Sequence, residues 1–110
     1  MIQKFIKIEQ GMLLLVKRGF WTSGDKSDGG FKCKRFIPKG DILEIRYPYE
    51  WHFRTSNNTY DHATTNKLST NCDFFGYVKS EINFQNKHSL RQILDDGLYH
   101  CASDYKLTLN

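Results

Sequence analysis

The chain has 110 residues, of which 39% are hydrophobic, 15% aromatic and 25% charged, with a formal net charge of +4. That length suits a single domain spanning 1–110, and the aromatic share supplies enough large apolar side chains to build a core. The longest apolar run, Met12–Val16, falls far short of the roughly 20 residues of a membrane span, and Lys17-Arg18 follow it where a signal peptide would carry a small-residue cleavage site, so a cytoplasmic chain without membrane contact is expected.

Ile2, Ile6 and Ile8 alternate imperfectly, and after Glu9-Gln10-Gly11 the run Met12 to Val16 continues as β-type sequence, so a hairpin or paired strands open the fold. Thr22 to Gly30 contains three glycines and no apolar residue, which predicts a mobile loop. Its Asp25 and Asp28 lack the alternate oxygen ligands and distal glutamate of a calcium loop. From Phe31 to Tyr47 a β-type segment is interrupted by Pro38-Lys39-Gly40-Asp41, where two strands are expected to meet in a turn. Pro48 ends the second of them, because proline cannot donate to a central ladder.

Trp51 to Thr64 predicts a hairpin turning at Asn57-Asn58. With those two as turn residues, Arg54 falls opposite Asp61 and Phe53 opposite His62. One face then carries His52, Arg54 and Asp61, and the other Trp51, Phe53, Tyr60 and His62, an aromatic face that suits a core better than a stacking platform. A three-residue turn would instead set His52 opposite His62 and raise the question of a two-histidine site.

Leu68 suggests a short turn before a strand through Cys72 to Val78. Ser89 and Gln92 resemble a capping box, and Leu90, Ile93, Leu94, Leu98, Cys101, Ala102 and Tyr105 follow helical spacing, predicting one helix over 89–96 that extends toward 104 unless Gly97 breaks it. Tyr105, Leu107 and Leu109 alternate as a closing strand would. The fold class expected is mainly β (α+β): a small, strongly bent antiparallel sheet or barrel with one C-terminal helix.

Phe36, Lys39-Gly40-Asp41, Ile42-Leu43-Glu44-Ile45 and Trp51 to Arg54 resemble the central part of a Src-homology-3-like barrel, over about residues 31–78. The resemblance implies a bent barrel of about five strands. The paired tyrosines of the first strand and the late Pro and Tyr of the peptide-binding signalling family are missing, so proline-motif recognition is not implied. Folds of this shape carry nucleic-acid binding, protein binding and oligomerisation alike.

Cys33, Cys72 and Cys101 are odd in number and far apart, and there is no Cys-x-x-Cys or His-x-x-x-His pair, so reduced thiols are expected, with neither metal nor cofactor. Cys33 between Lys32 and Lys34 has a setting that favours a reactive thiolate, but an alternating strand makes it first a small buried hydrophobe.

Positive charge is concentrated toward the start, with eleven Lys and Arg against six Asp and Glu in residues 1–54 and five against six thereafter. Lys17, Arg18, Lys32, Lys34, Arg35, Lys39, Arg46 and Arg54, with Trp51 for stacking, form the candidate surface for nucleic acid or an acidic protein partner. A non-enzymatic binding module is the first expectation. The second is a protein-interaction regulator or inhibitor, of the kind phages and mobile elements encode; the third is a small nuclease using His52, His62 and Asp61.

Overall fold

A strand that is apolar at every position needs cover on both faces, and Met12-Leu13-Leu14-Leu15-Val16 is such a run. The structure is a computed structural model that describes residues 4–23, 25–27, 30–32, 34–47, 52–57, 59–79, 82, 88–102 and 105–107. Its strands are β1 (Lys4–Ile6), β2 (Met12–Val16), β3 (Phe20–Trp21), β4 (Asp25–Ser27), β5 (Gly30–Lys32), β6 (Phe36–Ile37), β7 (Ile42–Tyr47), β8 (His52–Thr55) and β9 (Tyr60–His62). Helix α1 (Thr65–Asn71), β10 (Cys72–Val78), α2 (Leu90–Asp95), β11 (Tyr99–Cys101) and β12 (Tyr105–Leu107) follow.

The mainly β class with antiparallel sheet is as expected. Six strands pair antiparallel in the order β11-β10-β2-β7-β8-β9, with the apolar run of β2 near the centre. Met12, Leu14 and Val16 point to the main cluster with Leu43, Ile45, Phe53, Leu68, Cys72 and Phe74. Leu13 alternates to the opposite face and is fully buried there. The edge strands β9 and β11 do not pair with each other, so the sheet stays open and the expected barrel closure is not formed. After the Lys39-Gly40-Asp41 turn come β7 and β8.

Local expectations are corrected at the 22–30 loop and at Leu68. The predicted loop holds strand β4 and the first residue of β5, paired with Asp25 opposite Lys32; glycine and serine weaken a strand signal without forbidding a ladder. Strands β6 and β7 meet at the Pro38–Asp41 turn as expected, and each pairs elsewhere: β6 joins β3 and β7 lies between β2 and β8. Leu68 lies in α1, which has one strongly apolar residue and no periodic stripe to reveal it. The signal present was its cap: the Thr64 hydroxyl accepts from Lys67 N at 3.2 Å.

Helix α2 starts as predicted, with the Ser89 hydroxyl accepting from Gln92 N. It ends at Asp95, and the expected extension toward 104 is replaced by β11 and β12. Gly97 at φ 65° forms the stop, with Leu98 N donating to Ile93 O at 2.9 Å, the six-to-one bond of a Schellman cap. Of the stripe at helical spacing, Leu90 and Ile93 are buried, while Leu94 and Leu98 are half-buried. Cys101, assigned above to the helical stripe, is exposed on β11. The closing strand is present as β12, which runs parallel to β1.

A bulge in β10 sets Phe74 opposite Leu14 and Gly76 opposite Leu13. Phe74 and Tyr77 consequently meet on one face, 5.2 Å between ring centroids, while Phe75 turns toward Tyr99. A Cβ at Gly76 would stand 2.1 Å from the carbonyl oxygen of His100. Backbone cannot yield there as a side-chain tip would, so Gly76→Ala should cost about 3 kcal/mol, seen as a lower urea midpoint, through loss of the β10–β11 pairing.

Candidate functional site

The register of β8 and β9 decides which hairpin residues meet. His52 stands opposite His62, Phe53 opposite Asp61 and Arg54 opposite Tyr60. The two-residue-turn register is thus corrected: Thr55 N bonds Thr59 O at 2.9 Å, so three residues, 56–58, bridge the strands. Asn58 and Trp51 lie outside the described residues. Phe53 is buried in the core, but Tyr60 is 42% exposed on the opposite face, so the expected aromatic core face is split.

That register also separates the residues of the nuclease expectation. His52 and His62 share one face, with ring centroids 5.3 Å apart, while Asp61 alternates to the Phe53 face. There its carboxylate accepts from His62 N at 2.8 Å and lies 3.9 Å from Arg35 Nε. The predicted Arg54–Asp61 pair is replaced by this weaker contact.

Arg54 instead belongs to an interior charge cluster. Glu44, on β7, is 1% exposed; its Oε1 accepts from Arg54 Nε at 2.7 Å and Nη2 at 2.6 Å, and its Oε2 accepts from Arg46 Nη1 at 2.9 Å. Arg46 and Arg54 are 7% and 2% exposed. Both were expected at the binding surface, and both are interior. Sequence position could not reveal this, because the apolar neighbours Leu43, Ile45 and Phe53 alternate with these charges in the pattern of a strand with one wet face.

The remaining candidate cations lie outside the core. Lys17 pairs with Asp73 at 3.3 Å, Arg18 Nη2 donates to Thr70 O, and Lys34, Arg35 and Lys39 are exposed. Lys32 is placed on β5 by its backbone. Cys33 lies outside the described residues.

The surface feature missed in the sequence is a pair of outward aromatics. Trp21 and Phe36 are register partners on β3 and β6, 55% and 50% exposed, with centroids 5.4 Å apart in an edge-to-face arrangement. Their strand neighbours Phe20 and Ile37 point inward to the core. Fully buried Thr22 fixes the platform: its N–H donates to Arg35 O at 2.8 Å and its hydroxyl accepts from Arg35 N at 2.9 Å. Lys67 Nζ reaches Trp21 O at 2.7 Å, so Arg35 and Lys67 are both tied to the strand that carries Trp21. The signal available was Phe20-Trp21 and Phe36-Ile37, two dipeptides each needing one outward residue.

Beside Phe36 a half-open cleft of about 280 Å³ is lined by Arg35, Ile37, Asp41, Thr55, Thr59 and Asp61 among others. Burial pushes the Asp41 carboxyl above its ordinary value, against the opposing pull of Arg91. In the core, burial, reinforced by Asp73 and opposed by Lys17, pushes the Cys72 thiol up to about 12, so it is an inert core group. Among the described residues no group of three or more His, Cys, Asp or Glu side chains gathers as a metal site, and no helix is long and apolar enough to cross a membrane. No family model, curated protein or solved structure matches the chain.

Removing the anion of the buried cluster should be far worse than removing the cluster. Glu44→Gln leaves two interior guanidiniums without their carboxylate and should cost about 3–5 kcal/mol in chemical denaturation. Glu44→Met combined with Arg46→Leu and Arg54→Met should cost much less, because no unpaired charge is left behind.

Proposed function

We propose that the chain is a non-enzymatic binding module for single-stranded nucleic acid, using the Trp21–Phe36 pair as its stacking platform. The observation that carries this reading is that pair: two large rings, half exposed, held side by side on anchored strands with cationic residues joined to the same strands. Every base offers a π-face, so stacking on such rings is tolerant of sequence, while Lys and Arg supply attraction to the backbone. Arg35 and Lys34 immediately precede Phe36, and Lys17, Arg18 and Lys39 extend the exposed positive charge. The cleft beside Phe36 offers a stacked base or sugar the carboxylates and hydroxyls of Asp61, Asp41, Thr55 and Thr59. The platform lies on the two-residue strands β3 and β6; Phe36 falls within the segment that resembles a Src-homology-3-like barrel, and Trp21 precedes it.

Titration of labelled single- and double-stranded oligonucleotides at low and moderate salt tests the proposal. Single strands should bind more tightly, with affinity falling steeply as salt rises and little with base sequence. Trp21→Ala and Phe36→Ala should each weaken binding by about 1–3 kcal/mol at any salt. Lys34→Ala with Arg35→Ala should instead flatten the salt dependence, lowering its slope by about 0.7 for each phosphate no longer neutralised. Absence of binding even at low salt would overturn the reading and turn the same exposed aromatics into anchors for a protein partner.

A further inference from the structure

We infer that His52 and His62 form a two-histidine site for a divalent metal ion of the zinc class, on the sheet face opposite Asp61. Backbone geometry brings the rings together. The Thr55 N to Thr59 O bond makes 55 and 59 a hydrogen-bonded pair, and since bonded and non-bonded pairs alternate along an antiparallel ladder, His52 and His62 fall in a non-bonded pair. Side chains approach most closely in such pairs. The polar groups of His62 agree with this assignment, because its N–H donates to Asp61 Oδ1 at 2.8 Å and its carbonyl accepts from Ser23 N at 3.0 Å, both away from β8. These two bonds pin the strand at the histidine.

The ring separation fits shared coordination. A zinc ion lies about 2.0–2.1 Å from an imidazole nitrogen and hence about 3.2 Å from the ring centroid, so two imidazoles at a tetrahedral angle have centroids about 5.2 Å apart. The observed separation is 5.3 Å, with the rings inclined at 65° and both histidines half-buried. Arg54, two residues from His52 on the same face, shares the single Glu44 carboxylate with Arg46, so the interior cluster keeps one net positive charge, which opposes a divalent cation and makes the expected site a weak one. With two protein ligands, water fills the remaining positions, and the site is exchangeable rather than a structural zinc centre. It is separate from the Trp21–Phe36 platform, so its test does not depend on oligonucleotide binding.

Zinc chloride in a non-chelating buffer is the probe. The unaltered protein and a Cys101→Ser variant, which removes an exposed competing thiol, should show a saturable rise in Tm of about 4 °C or more at saturating zinc. His52→Ala and His62→Ala should each abolish the rise, whereas His88→Ala and His100→Ala should keep it. Should a hairpin variant fail to fold, imidazole nitrogen NMR of the unaltered protein decides: zinc should move the side-chain signals of His52 and His62 and leave those of His88 and His100. No rise in the unaltered protein, a rise retained in a folded His52→Ala or His62→Ala variant, or movement confined to His88 and His100 would overturn the inference.

Discussion

One carboxylate between two guanidiniums, on the inner part of the sheet, constrains how the strands around it align. Glu44 lies in β7, and its cross-strand partners are Leu13 on β2 and Arg54 on β8. Taking three charges out of water is costly, and their mutual attraction offsets that cost only while the hydrogen bonds are complete. A slip of β8 by one residue would carry Arg54 to the face of Phe53, among Leu43, Ile45 and Phe20, without its carboxylate. The cluster is therefore weak as a source of stability and strong as a selector of register. Two of the nine cations and aromatics that composition assigned to the surface are used up in this way.

The register fixed at Arg54 extends outward through β8 to β9. With Arg54 opposite Tyr60, His52 must stand opposite His62, and Asp61 must turn toward the Phe53 face beneath Arg35. A buried ion cluster in the middle of the sheet thus determines which titratable groups meet at its edge. It also explains why the three residues of a conceivable hydrolytic site are dispersed: alternation puts an aspartate and its neighbouring histidine on opposite faces whenever the strand is regular.

Much of the fold was legible where one local rule acted alone. Met12–Val16 could only be a covered strand, and Ser89 with Gln92 marks the start of α2. Legibility failed where two rules competed. Leu98, Cys101, Ala102 and Tyr105 keep helical spacing beyond Asp95, yet a glycine free to take positive φ ended the helix and strand pairing captured what followed. Thr65 to Asn71 are poor helix formers with one strongly apolar anchor, Leu68, and tertiary burial of that side chain outweighs their propensity. The hairpin register turned on whether two or three residues bridge the strands, a difference that Asn57-Asn58 alone does not encode. Arg46 and Arg54 were indistinguishable from surface cations because their partner, Glu44, is ten residues from Arg54 and adjacent only across the ladder.

The exposed aromatic pair follows from the same geometry. A two-residue strand has one inward and one outward position, and in β3 and β6 the inward ones are taken by Phe20 and Ile37, which cover Phe53 and its neighbours. Trp21 and Phe36 are left outside by necessity. Their rigidity is not a necessity, and three further contacts provide it: the paired bonds between Thr22 and Arg35, the Lys67 bond to Trp21 O, and the approach of Phe36 over Gly19, where a Cβ would stand 2.4 Å from the ring. Rings held in place lose little conformational freedom when a ligand stacks on them, so more of the contact energy remains as affinity. Solubility alone would favour polar residues at these two positions. A half-exposed Trp and Phe on anchored backbone are thus a feature the isolated fold does not require, and it is this surplus that the proposed stacking role would use.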